Sequence, residues 1–200
     1  DSRYVDQQWK DHVVQGYPAN LPEQPVIRVS YEDAMKFCSE MSRRTGLNVT
    51  LPTETQWEWA CRAGSGTAFW FGNMDADFGS KDNLADRSTL DFAVIGIDPQ
   101  PMSPEDVWYP YYTYLPKADY VNDTCLVQTG GIRHDANPFG LYYMHGNVCE
   151  WTRSAYNDEY MVARGGSFIE RPKFSTSYSR KGFYPYQRVF NVGFRVIIED

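Results

Sequence analysis

The chain has 200 residues, of which 42% are hydrophobic and 16% aromatic, and its formal net charge at pH 7 is −7. This length and apolar content are enough for one folded domain with a substantial core. The acidic balance and the lack of a basic tract argue against nucleic-acid binding, and no apolar run approaches the roughly 18–20 residues that a membrane-spanning helix requires.

The first part of the chain is polar. Residues 1–24 contain two prolines and show no sustained hydrophobic period, so they are predicted to form an irregular arm ahead of a domain at 25–200. The domain is predicted to open with a short strand from Pro25 to Val29.

Two amphipathic helices are predicted next. In the first, Ser30 is a typical N-cap and Gly46 a typical C-terminal stop. Between them the apolar residues recur at the spacing of one helical face, at Ala34, Phe37, Cys38 and Met41. In the second, Thr53 caps the helix, Gln56 completes a capping box, and Gly64 ends it.

Glu54 and Glu58 lie four residues apart on one face of the second helix. Paired carboxylates suit acid–base chemistry. An exposed face, or pairing with Arg62, is the alternative, and we favour it.

The four cysteines, Cys38, Cys61, Cys125 and Cys149, form no CxxC pair, which argues against zinc. They could form two disulfides. Each lies in an apolar context, however, so the sequence favours buried thiols.

The sequence between residues 64 and 137 shows almost no hydrophobic periodicity of the kind that predicts helices or strands. Loops of this length in a compact domain are usually functional or stabilised by a ligand. The aromatic-rich stretch at 104–116 is either a stacking surface for sugars or a partner, or a cluster that holds the loop, and we favour the second.

The stretch from Asn137 to Trp151 is too apolar for a free surface loop, although Gly146-Asn147 predicts a tight turn within it. The carbonyls of a buried turn need internal partners. Two arrangements satisfy that need and remain open. Either the carbonyls and Glu150 bind a cation, or the turn makes ordinary hydrogen bonds and Glu150 pairs with an arginine.

Two strands are predicted after the turn. One runs over 160–167 and ends at Gly165-Gly166, where backbone must approach something closely. The other runs over 192–198 and closes the domain.

The segment GLYYMHGNVCEW at 140–151 resembles the G-L-x-D/N-M-x-G-N-V-x-E-W signature of the formylglycine-generating-enzyme family, also called sulfatase-modifying-factor domains. Further blocks resemble the family in the same order: VSYEDAMKFC at 29–38, LPTETQWEWACRAG at 51–64, RGGSF at 164–168 and NVGFR at 191–195. The resemblance covers roughly residues 25 to 198.

This resemblance implies an α+β, C-type-lectin-like fold with two helices, short twisted strands and long irregular loops. The opening strands and E-V-T-N segment of the family have no counterpart in residues 1–24. The resemblance therefore predicts a domain without the usual N-terminal part of the family, or a piece of a longer chain.

The family also implies structural calcium. By motif, the first site maps onto Asn83, Leu84, Asp123 and Cys125, an oxygen set that suits a hard cation. The second maps onto Tyr143, Gly146, Val148 and Glu150. There the family has Asp or Asn where this chain has Tyr143, so the second site departs from the pattern.

In catalytic members, two cysteines after the R/K-G-G-S motif bind copper(I), and one exchanges with the substrate thiol during oxidation of a sulfatase cysteine to formylglycine. Both steps need soft thiolates. Those positions fall at Glu170 and near Ser175 in this chain, so neither copper nor the formylglycine reaction is expected. An iron-dependent branch of the family needs clustered histidines, and His12, His134 and His145 form no cluster in the sequence.

The resemblance places the active-site groove of catalytic members in this part of the chain. The aromatic, charged and hydroxyl residues found there are typical of a recognition surface: Phe168, Glu170, Arg171, Ser175, Arg180, Tyr184, Tyr186 and Arg188. The alternative is that the arginines simply pair with nearby acids.

The leading hypothesis is a non-catalytic, calcium-stabilised binding or assembly module, periplasmic or extracellular, that takes a protein partner or a glycan. One alternative is an enzyme with altered oxidative chemistry or with residues supplied by another chain. Another is a lectin-like ligand-binding protein diversified near its C-terminus.

Overall fold

The computed structural model describes residues 24–78, 81–84, 134–168 and 170–200. Helix α1 (Tyr31–Thr45), strand β1 (Asn48–Thr50) and helix α2 (Glu54–Arg62) come first. After the long middle segment come β2 (Cys149–Ala155), β3 (Met161–Arg164), a 3₁₀ turn (Pro172–Phe174), β4 (Arg180–Phe183), β5 (Val192–Phe194) and β6 (Ile197–Glu199).

Both helices begin at the residues that the sequence indicates. Ser30 accepts from the Asp33 amide and Asp33 returns a bond to the Ser30 amide, which is a complete capping box. Thr53 and Gln56 form the same box on α2. Helix α1 ends at Gly46 with φ 75°, as predicted, but the left-handed cap of α2 is Ala63 (φ 45°).

The strands form two small sheets. The larger has the order β4-β3-β2-β5, in which β5 runs parallel to β2 and the other pairs are antiparallel. In the smaller, β1 pairs with β6. The predicted strand at 192–198 is therefore two strands in different sheets, and it breaks around Arg195, whose side chain pairs with Glu150.

The predicted strand from Pro25 to Val29 is wrong, because these residues are not part of any ladder of the described structure. Arg28 has φ 56°, which an extended strand does not allow. The segment packs instead through its backbone. The Val29 carbonyl accepts from the Trp151 indole at 2.9 Å, and a Cβ at Gly193 would lie 2.4 Å from the Val26 carbonyl oxygen.

The main core lies between α1 and the larger sheet. Its fully buried members are Ala34, Cys38, Leu51, Cys149, Trp151, Ala163 and Val192. Phe37, which the helical spacing places with this face, is 47% exposed and meets Phe194 edge to face at its margin.

Cys38, Cys61 and Cys149 are free, buried thiols, as expected, and Cys125 lies outside the described residues. In the part of the chain that the structure describes, no helix has the length and apolarity needed to cross a membrane.

Candidate functional site

The signature turn, residues 137–151, is buried at Asn137 and from Tyr143 to Trp151, whereas residues 138–142 are exposed or partly exposed. Asn137 anchors its start: the side-chain oxygen accepts from the Phe139 and Leu141 amides, and the amide nitrogen donates to the Ala60 carbonyl of α2 at 2.7 Å. The positive φ that the sequence requires falls at Tyr143 and Asn147, at 58° and 63°.

Gly146 is needed for a close approach rather than for its φ. A Cβ at this position would lie 2.2 Å from the Asn83 carbonyl oxygen and 2.6 Å from an Asp82 carboxylate oxygen. The same carbonyl accepts from the Asn147 amide at 2.7 Å, and the side-chain amide of Asn83 donates to Asn147 Oδ1 at 3.0 Å. Residues 82–83 and the turn therefore form one unit.

Asp82 lies at the centre of this unit and is 1% exposed. Its two oxygens accept from the His145 amide at 2.7 Å and the Asn83 amide at 2.9 Å. Burial raises the pKa of its carboxyl to about 7, against the opposing effect of these two amides. The sequence reasoning singled out Asn83 and overlooked the acid before it.

His145 is held as a neutral ring. Nδ1 donates to the Ser175 carbonyl at 2.8 Å and Nε2 accepts from the Trp70 amide at 3.1 Å. Burial lowers its pKa to about 4. Cys61 Sγ lies 3.6 Å from Nε2, but burial raises the pKa of this thiol to about 12. A neutral imidazole beside a protonated thiol is not an activated nucleophile.

Glu150 pairs with an arginine, which is the second of the two arrangements left open by the sequence. Arg195 contacts both carboxylate oxygens, at 2.5 and 2.7 Å, and the Trp57 indole donates to Oε2 at 2.6 Å. The charge of Glu150 is therefore already balanced, and the guanidinium disfavours a second cation on the same carboxylate. The residues of the second calcium site do not fit a divalent ion well.

Half of the first calcium site can be compared with the structure. Asn83 and Leu84 are both buried, and Asn83 contacts Asn147 of the signature turn. Asp123 and Cys125 lie outside the described residues, so the ligand set stays a prediction.

Glu170, the residue to which the resemblance assigns the first catalytic cysteine, is part of an ion pair. Glu170 Oε1 accepts from Lys181 Nζ, and the same ammonium lies 3.4 Å from Cys149 Sγ. Burial raises the pKa of Cys149 to about 12. Ser175, near the second position, is fully buried, and its hydroxyl donates to the Arg171 carbonyl.

The remaining predicted groove residues have separate partners. Arg180 pairs with Glu54 at 2.8 Å and Arg188 with Asp33 at 2.9 Å, as the alternative of arginines paired with acids predicts. Arg171 is the residue that precedes the 3₁₀ turn, and Phe168 is buried.

Among the predicted groove residues, Tyr184 and Tyr186 are brought together as an aromatic pair. Their rings stack with centroids 5.3 Å apart, and Tyr160 lies 4.5 Å from Tyr184. Tyr186 is 64% exposed. The aromatic stretch at 104–116 lies outside the described residues.

The carboxylate pair on α2 is structural. Glu58 pairs with Arg62 at 2.8 Å, as favoured above, and with the buried Arg164 at 2.5 Å. Arg164 also donates to the Ser177 carbonyl at 2.6 Å and lies over the Trp57 ring. The helix is thereby joined to the loop after the 3₁₀ turn.

Two capped helices, two small sheets and a signature turn that is buried from Tyr143 to Trp151 define an α+β domain. The chain belongs to the sulfatase-modifying-factor family, because the model of the "Sulfatase-modifying factor enzyme 1-like domain" matches residues 4–200.

The chain is similar to relatives named as active and as inactive. It is 30% identical over 185 residues to "Inactive C-alpha-formylglycine-generating enzyme 2" of Bos taurus, which covers 86% of this chain and 50% of that protein. It is 28% identical over 141 residues to "Formylglycine-generating enzyme" of Mycobacterium tuberculosis, with 69% and 36% covered. The chain thus spans about half the length, or less, of these relatives.

Among solved structures, PvdO from Pseudomonas aeruginosa superimposes with a TM-score of 0.63 at 23% identity. The match covers 90% of this chain and 64% of that one. This likeness confirms the α+β fold and carries no information about activity.

Proposed function

We propose that the chain is a non-catalytic, calcium-stabilised binding or assembly module that works outside the cytoplasm. The observation that carries this proposal is the partly buried Glu170–Lys181 pair, at the position to which the resemblance assigns the first catalytic thiol. A carboxylate paired with an ammonium is a hard and already neutralised group, whereas copper(I) selects soft thiolates.

The thiols that the structure describes support the same conclusion. Cys38, Cys61 and Cys149 are all buried. The pKa values of Cys61 and Cys149 are raised to about 12, so both are protonated at neutral pH and poor in the thiolate that thiol exchange requires.

The test of activity uses the full chain, a cysteine-containing peptide, copper and dioxygen, with an active formylglycine-generating enzyme run in parallel. We expect the peptide to keep its thiol, and copper-dependent formation of the aldehyde would overturn the proposal. A matched variant carries Glu170→Cys and Ser175→Cys. This variant should bind copper(I) more tightly than the wild type. Equal binding would show that Glu170 and Ser175 do not occupy a copper site, and the proposal would lose its main support.

Calcium is tested by melting. A ligand that binds only the native state at 100 times its Kd adds about 2.7 kcal/mol, which for a chain of this size raises the Tm by about 5–10 °C. We expect chelation to lower the Tm by that amount and Asp123→Ala to abolish the response. The exposed Asp158→Ala serves as the control. An unchanged Tm with no calcium by elemental analysis would refute the calcium part alone.

The binding part of the proposal is supported by the aromatic pair Tyr184–Tyr186. Exposed tyrosines that are already stacked lose little conformational entropy when a protein or a glycan covers them. Screening of glycan and peptide libraries against the wild type and Tyr186→Ala tests it. A ligand that binds both equally would place the binding surface elsewhere.

A further inference from the structure

The side chains of Lys181 and Cys149 meet on one face of the larger sheet. Lys181 on β4 lies opposite Ala163 on β3, which lies opposite Trp151 on β2. Cys149 precedes Trp151 by two residues and therefore faces the same side. The small side chain of Ala163 leaves room for Lys181 to extend over β3, so that its Nζ lies 3.4 Å from Cys149 Sγ.

Glu170 completes the cluster. Its Oε1 accepts from Lys181 Nζ, while its Oε2 is buried and accepts no hydrogen bond from any group of the described chain. A hydrogen bond from the Ser167 side chain also favours the charged form of the carboxyl and so opposes the rise in its pKa that burial causes, but Oε2 has no partner among the described residues. The carboxyl thus has an unused acceptor site within a cluster that also contains a thiol and an amine.

This arrangement distinguishes Cys149 from the other thiols that the structure describes. Cys61 contacts His145 and the Met144 carbonyl, and Cys38 lies in the apolar core. In the described chain, a lysine amine lies within hydrogen-bond distance of Cys149 but of neither other thiol.

We propose that Cys149 and Lys181 form an oxidative cross-link, a nitrogen–oxygen–sulfur bridge made with dioxygen as the oxidant. The Lys181 ammonium first passes one proton to Glu170. The thiol and the neutral amine then react with one dioxygen molecule to give the S–O–N bridge and one water. Sulfur and nitrogen each lose two electrons, dioxygen gains four, and the thiol hydrogen and one amine hydrogen leave in the water.

The bridge would join β2 to β4 across β3, at the place where catalytic relatives carry a reactive thiol. It would convert a reversible contact between strands into a covalent one. It would also make the stability of the larger sheet depend on the redox history of the protein.

The test is intact-mass and peptide mapping of the full chain prepared with and without dioxygen. We expect aerobic protein to contain a peptide in which Cys149 and Lys181 are joined, with a gain of one oxygen and a loss of two hydrogens. Excess dithiol should restore the free thiol and amine. Cys149→Ser and Lys181→Arg should abolish the linked peptide, and the exposed Lys173→Arg should keep it.

Three results would overturn the proposal. One is a free Cys149 thiol after prolonged exposure to dioxygen. Another is a gain of oxygen on Cys149 without loss of hydrogen, which indicates sulfenic acid. The third is a linked peptide that persists in Lys181→Arg. The wild-type peptide map decides the question even if a variant fails to fold.

Discussion

Two acids in this domain, the buried Glu150 and the partly buried Glu170, lie in different surroundings. Glu150 accepts from Arg195 at both oxygens and from Trp57 at one. Glu170 has one ammonium partner, and its second oxygen accepts no hydrogen bond within the described chain. A fully bonded acid supports the scaffold, whereas a partly bonded one costs more to bury than it returns. The difference predicts that the two acids contribute unequally to the stability of the fold.

The largest expected effect is at the fully bonded acid. Glu150→Gln leaves the Arg195 guanidinium without a counter-charge in a site where Glu150 is almost entirely buried. Breaking a buried pair in this way costs about 3–5 kcal/mol. Urea denaturation measures the loss. The exposed Glu40→Gln, which also breaks an ion pair, should leave the midpoint unchanged, and equal losses in the two variants would contradict the comparison.

The next effect is at the contact between the turn and residues 82–83. Gly146→Ala places a methyl group 2.2 Å from the Asn83 carbonyl oxygen, so backbone must move. We expect a loss of about 1–3 kcal/mol in the free energy of unfolding. Gly66→Ala is the matched control, since its methyl would meet nothing within 4 Å. If both variants unfold at the same urea concentration, the turn does not pack as described.

The pH dependence tests the neutral ring of His145. The pKa of His145 is about 4 in the folded chain, against 6.5 for an ordinary histidine in the unfolded chain. Between these values the unfolded state holds more protons, so stability falls as the pH is lowered, by about 1.4 kcal/mol per pH unit.

The raised pKa of Asp82 acts in the opposite direction, so the measurement is a difference between two proteins. His145→Asn retains a donor for the Ser175 carbonyl and cannot titrate. The stability of the wild type relative to this variant should decrease as the pH falls from 6.5 to 4. Parallel urea-stability curves across that range would show that His145 is not held neutral.

The smallest effect is expected at the partly bonded acid. Replacing Glu170 and Lys181 together by methionine removes a pair that is incompletely bonded and fills similar volume. Such replacements are often neutral, and we expect a change within about 1 kcal/mol. Lys181→Met alone should cost more, because it leaves Glu170 buried without a cation. A double variant less stable than either single variant would show that the pair supports the fold.

Those parts of the fold that depend on contacts between residues close in sequence could be predicted. The capping boxes at Ser30 and Thr53 satisfy helix amides with nearby side chains, so their pattern is visible in a short window. The buried turn was predictable because its apolar residues surround a glycine. The non-strand conformation of residues 25–29 was not predictable, since the positive φ falls at Arg28 and no glycine marks it.

The candidate site was less predictable because its partners are distant in sequence. Arg195 belongs to the NVGFR block, yet nothing local assigns it to Glu150, which lies 45 residues earlier. Lys181 has no motif at all, and its contact with Cys149 depends on strand register. Asp82 could have been noticed as an acid next to a predicted calcium ligand.

The placement of β5 and β6 has a consequence for biosynthesis. Strand β5 pairs in parallel with β2, and β6 pairs with β1. Neither sheet is therefore complete before residues 192–199 have been made. While the ribosome is still making that segment, the two helices can form, but the apolar face around Trp151 has no Val192 against it. The nascent chain therefore exposes hydrophobic surface until residues 192–199 have been made, and during that time aggregation competes with folding. Such a chain is expected to depend on chaperones during synthesis more than its finished stability suggests.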